Sequence, residues 1–215
     1  MTESEWDQST YLEDQMVCLL GQREVHKSKD GRRRLRLFGC ASCRLVWHLI
    51  PEGACRMAVE LAEAYADGFG TIEEIKSVLR DAARFLHAGG PNDRSAVQAV
   101  FHTASPEARR VAQAGREASS AFHNGWTADN GPFCPLLRCI FGNPFRPVPF
   151  DPRWRTETAV ALATGIYVDR AFDRLPILAD ALEETGCDHP DVLTHCRGPS
   201  THARGCWVVD LLLGK

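Results

Sequence analysis

Arg32-Arg33-Arg34-Leu35-Arg36-Leu37-Phe38-Gly39-Cys40-Ala41-Ser42-Cys43-Arg44-Leu45-Val46-Trp47-His48-Leu49-Ile50, followed by Pro51, decides the fold class. Its apolar residues recur at intervals of three and four, not two, which predicts a helix from about Arg32 to Ile50. Pro51 ends it, because proline lacks a backbone donor and its ring clashes with the preceding turn. At about 100° per residue, Leu35, Phe38, Leu45 and Leu49 share one side. Arg33, Arg36, Cys40, Cys43 and Trp47 form a stripe away from them, with Arg44 beside it.

The same period extends outward in both directions. Helices are expected over Tyr11–Gln22, Glu52–Asp67, Thr71 to about His87, Asp93–Thr103 and Pro106–Phe122. Thr71-Ile72-Glu73-Glu74 matches a capping box, in which hydroxyl and carboxylate each satisfy a free amide of the first turn. Ser105 and Pro106 suit the N-cap and first helical position. Six of the twelve prolines then fall between Pro132 and Pro152, after the turn-forming pairs Asn124-Gly125 and Asn130-Gly131. Beyond them, helices are expected over Thr156–Phe172, Arg174–Glu184 and Pro190–Cys196. A Gly/Pro/His-rich loop, Arg197–Gly205, leads into apolar Trp207–Leu213. The fold class is therefore all-α, an irregular multi-helix bundle. An N-terminal helical region (1–123) joins a C-terminal one (156–215) through a Pro/Gly-rich connection (124–155), and the two regions are expected to pack as one unit.

With 44% hydrophobic and 25% charged residues, the chain can bury an ordinary core. No apolar run approaches the roughly 18 residues that suggest a membrane span. The acidic start, Met1 to Trp6, has no basic, apolar signal pattern, so the expected compartment is the cytoplasm. Nine cysteines, an odd number set in apolar helical patterns, favour reduced thiols over a disulfide framework. A net charge of −3 points to no polyanionic partner for the chain as a whole.

Four segments carry a resemblance: Leu37 to Arg44 with Trp47-His48; Ile140-Phe141-Gly142-Asn143-Pro144-Phe145-Arg146-Pro147-Val148; Arg174 to Asp188; and His195-Cys196-Arg197-Gly198-Pro199 through Gly205-Cys206-Trp207-Val208-Val209-Asp210. Together they resemble a family of uncharacterised bacterial proteins that occur in many copies per genome. The resemblance implies relatedness and no particular reaction. Members of that family often carry a third cysteine where this chain has Ser42.

Cysteines and histidines supply the candidate chemistry. Arginines beside Cys40 and Cys43 are expected to lower the thiol pKa values and favour thiolates, the form that binds metals. His202 and Cys206, four apart, can chelate one ion if a helix starts early enough. Joined to Cys40 and Cys43, they make a Cys₃His set suited to Zn²⁺. The alternative is separate buried thiols and solvated histidines. Asp210, between Val209 and Leu211, needs a partner if buried, such as Arg44, Arg204 or a histidine.

The window Arg23–Arg44 holds eight Lys and Arg against Glu24 and Asp30, a local net charge of +6. It lacks the aromatic interleaving of a nucleic-acid surface, so nucleic acid is not the expected partner. No phosphate loop, nucleophile elbow or His-Glu-x-x-His motif is present. The first expectation is a non-enzymatic helical module that binds a protein partner and is stabilised by structural zinc. The second is a Cys/His enzyme with its site in the 195–206 loop and Cys196 or Cys206 as nucleophile. Nucleic-acid binding through residues 23–44 comes third.

Overall fold

The computed structural model describes residues 1–123, 130–199 and 201–215; Arg23 and Glu24 are described by backbone alone. It is 70% helical, with no strand among the described residues. The Asn124-Gly125 turn lies outside them. The chain divides into two compact units, Met1–Cys134 and Pro135–Lys215.

The first unit contains α1 (Glu3–Gln8), α2 (Leu12–Gly21), α3 (Arg23–Lys27), α4 (Lys29–Leu45), α5 (Ala54–Ala66), α6 (Ile72–Ala82), α7 (Pro91–Thr103), α8 (Ala108–Val111) and α9 (Ala114–Phe122). The decisive helix is α4. It starts earlier than expected because the Ser28 hydroxyl accepts from the Gly31 amide at 2.9 Å. It also ends earlier, at Leu45, and a 3₁₀ turn at Trp47–Leu49 carries the chain to Pro51. Helix α4 packs against α5, α7 and α9, so both of its sides are covered. Gly39 and Gly115 permit that approach. A Cβ on Gly39 would lie 2.7 Å from Thr103 Oγ1, and one on Gly115 would lie 2.4 Å from the Phe38 ring.

The capping box at Thr71 forms: Thr71 N donates to Glu74 Oε2 at 2.7 Å, and Glu74 N to Thr71 Oγ1 at 3.2 Å. The single helix expected over Pro106–Phe122 is instead α8 and α9. Ser105 accepts from Glu107 N at 3.1 Å, which makes a turn, and the backbone becomes regular only at Ala108.

The expected Pro/Gly-rich connection contains a helix, α10 (Phe133–Phe141), and the division between the units falls inside it. Pro135 is the third residue of α10, in the first turn, where a missing amide breaks no intrahelical bond. Density of proline therefore concealed a helix whose Phe133, Leu136, Leu137 and Ile140 are all buried.

The second unit continues with α11 (Glu157–Asp169), α12 (Leu175–Glu184), α13 (Pro190–Arg197) and α14 (Trp207–Leu213). Ala159, Ala163 and Ile166 form one stripe on α11, and Leu175, Leu178 and Leu182 one on α12; they enclose a core with Val208, Val209 and Leu212 of α14. Arg170, in the left-handed region at φ 55°, ends α11 before the expected Phe172.

Candidate metal centre

The local backbone explains how a cluster forms in the second unit. Cys139 lies on the last turns of α10, and Gly142 follows at φ 70°, ending the helix against the Trp207 ring. On α13, Val192 and Cys196 face the core and leave His195 half-buried at its edge. His202 and Cys206 flank a tight turn in which Cys206 N donates to Ala203 O at 2.9 Å. Gly205 occupies the third position of that turn at φ 89°, a conformation that side-chain-bearing residues rarely adopt. The two side chains thus meet across a turn and not along a helix, because α14 begins only at Trp207.

Ligand atoms of Cys139, His195, His202 and Cys206 all lie within 4.8 Å of one another. Cys139 Sγ is 3.4 Å from His202 Nδ1, and His195 Nε2 is 3.2 Å from Cys206 Sγ. Zn–S and Zn–N bonds of about 2.3 and 2.0–2.1 Å at a tetrahedral angle would set sulfur and nitrogen about 3.6 Å apart. The four residues could hold a metal ion. Both thiols are buried, and the imidazoles stand edge to face with centroids 4.9 Å apart. His202 Nε2 is shielded from solvent and has no hydrogen-bond partner among the described residues.

The electrostatics divide the two thiols. Burial, the Cys206 sulfur and the nearby Asp210 charge push Cys139 up. Burial also opposes ionisation of Cys206, but the Cys139 thiol together with His195 and His202 outweighs it and holds Cys206 well below the usual thiol range. A thiolate is therefore stabilised where a metal would need one.

The structure brings together His202 and Cys206, two of the four residues expected from the sequence, but with Cys139 and His195. Cys40 and Cys43 belong to the first unit and are not members of this cluster. Cys40 Sγ faces Val59 O at 3.7 Å, and Cys43 Sγ faces Thr103 Oγ1 at 3.6 Å. Neither thiol is lowered as expected. Burial pushes Cys40 well up and Cys43 up to about 12, outweighing the arginines. Arg44 makes a bidentate pair with Glu63 at 2.7 and 2.9 Å, and that carboxylate itself opposes thiolate formation. Asp210 is fully buried. Cys196, a proposed nucleophile, is a buried thiol also pushed up by burial.

Cys139 was the residue missed; His195 lies in the 195–206 loop expected of a Cys/His site, but not in the set of four expected to hold zinc. Cys139 directly precedes the Ile140–Val148 segment, and His195 opens the last of the four quoted segments. Those segments thus supply or border every member of the cluster. Comparisons with models of known protein families, with characterised proteins and with solved structures found no match. The fold and site define an all-α, cysteine-rich protein with a Cys₂His₂ cluster.

Proposed function

We propose that the chain is a non-catalytic helical protein-interaction module whose second unit is held together by one structural Zn²⁺ on Cys139, His195, His202 and Cys206. The observation that carries this reading is the convergence of four soft and borderline donors within 4.8 Å. Two thiolates and two neutral imidazoles suit Zn²⁺ and not Mg²⁺ or Ca²⁺, which require oxygen. Their two negative charges balance the ion, and four protein ligands close a tetrahedral shell, the pattern of a structural site. Pro135–Lys215 is also small, roughly 80 residues, a size at which one core contributes little net stability and a metal staple matters. Cytoplasmic residence, with its reduced thiols, agrees with this chemistry.

Internal engagement of the arginines supports placing nucleic acid last. Arg33 pairs with Asp67, Arg34 with Asp30 and Arg44 with Glu63, while Arg36 donates to Thr103 O and Ser105 O. Exposed Val17, Phe69 and Val168 offer apolar contact to a protein partner.

Elemental analysis of purified protein tests the metal assignment. One zinc per chain is expected, lost in Cys139→Ser and Cys206→Ser but retained in Cys43→Ser. A wild type that holds no metal after zinc reconstitution would refute it. Zinc loss in folded Cys43→Ser would favour the set first expected.

The His195–Cys206 contact supports a second reading, a Cys/His enzyme with Cys206 as nucleophile. Fast alkylation of Cys206 by iodoacetamide at neutral pH in zinc-replete protein would favour it; protection by zinc favours the structural reading.

A further inference from the structure

The first unit has a cavity of about 340 Å³ remote in sequence from the cluster, at the lower end of the range for small-molecule sites. Its floor is apolar. Leu12, Met16 and Leu20 recur every four residues along one face of α2, with Leu12 and Met16 buried and Leu20 half-buried. Arg109 and Arg116 from the α8–α9 side and His26 from α3 line it as well, against one acid, Glu13. Arg109 is exposed and makes no ion pair among the described residues. His26 Nδ1 is shielded from solvent and has no hydrogen-bond partner there.

An apolar floor, a guanidinium in no ion pair and an unsatisfied ring nitrogen are complementary to a molecule with an apolar body and an anionic head. We propose that this cavity binds a small amphipathic carboxylate, an alkyl or aryl acid. Its chain lies along Leu12, Met16 and Leu20, and its carboxylate meets Arg109 and His26. The head group gains a charge-assisted, bidentate-capable donor, and the tail leaves water. Met16 adds a deformable wall that tolerates different tails. The Arg109 guanidinium sets the preference for an acid over a neutral molecule of the same length.

Isothermal titration calorimetry of the full chain with decanoate and with decanol tests this. Saturable one-to-one binding of decanoate is expected, with decanol weaker by about tenfold or more, the scale of one lost charge-assisted contact. Arg109→Glu, at an exposed position, should weaken decanoate by a similar factor and leave decanol unchanged. Leu20→Trp, which fills the cavity, should abolish both while the circular dichroism stays that of the wild type. Three results would overturn the proposal: no saturable decanoate binding, decanol binding as tightly as decanoate, or Arg109→Glu without effect on decanoate. None of these outcomes depends on zinc.

Discussion

Gly115→Ala and Gly165→Ala are the same substitution in two helices, and the structure gives them opposite signs. Within a helix, alanine is favoured over glycine by about 1 kcal/mol, because glycine loses more backbone freedom on folding. At Gly165 of α11 a new Cβ meets nothing within 4 Å, so that gain should appear nearly whole. At Gly115 of α9 the new Cβ would lie 2.4 Å from Phe38 Cε1 and 2.7 Å from Cζ. Phe38 is fully buried on a helix covered on both sides, so its ring has no free space to enter. Overpacking of this kind costs about 1–3 kcal/mol, and such a close contact with a rigid ring places it at the upper end. Net, Gly115→Ala should destabilise by about 2 kcal/mol. Urea unfolding of both variants, compared at constant m-value, measures the difference. A double-mutant cycle then tests the cause: Phe38→Leu should cost less stability in the Gly115→Ala background than in the wild type, because it relieves the clash. Gly115→Ala as stable as the wild type, or a cycle with no coupling to Phe38, would refute the packing argument.

Three further outcomes follow from particular contacts. Thr71→Ala removes the capping hydroxyl of α6 and should cost about 1 kcal/mol, read as a lower urea midpoint; no change would mean that the cap contributes nothing. Burial holds the Cys43 proton up to about pH 12, whereas an unfolded thiol releases it near pH 8.5. Its contribution is thus fully present below about pH 8.5 and falls by up to about 1.4 kcal/mol per pH unit as pH rises toward 12. Cys43→Ala should flatten the alkaline limb of the stability profile, and an unchanged limb would contradict the assignment. Gly205→Ala forces a side chain into φ 89°, which should lower zinc content and melting temperature together by parting His202 from Cys206; full zinc content would show that the turn is not what pairs them.

Helical periodicity made the all-α class legible, since a 3.6-residue repeat can be read without knowing any partner. Caps were also legible where two side chains close a local loop, as at Thr71 and Glu74. Boundaries slipped where local chemistry intervened: Ser28 started α4 early, and Ser105 made a turn where a helix start was expected. Proline counting misread α10, because Pro135 is harmless in the first turn. In the cluster, His202 and Cys206 were legible because they are close in sequence. Cys139 was not, and neither was the choice of His195 as their partner, since both depend on where α10 and α13 pack. The arginine stripe suggested activated thiols at Cys40 and Cys43, yet sequence shows neither burial nor that Glu63 neutralises Arg44.

X-ray absorption at the zinc edge on zinc-reconstituted protein tests the central claim most directly. With Cys139, His195, His202 and Cys206 as ligands, it should show a four-coordinate shell of two sulfurs at about 2.3 Å and two imidazole nitrogens at about 2.0–2.1 Å. A three-sulfur shell would contradict this ligand set, and a shell of light atoms alone, or one completed by water, would contradict a closed structural site.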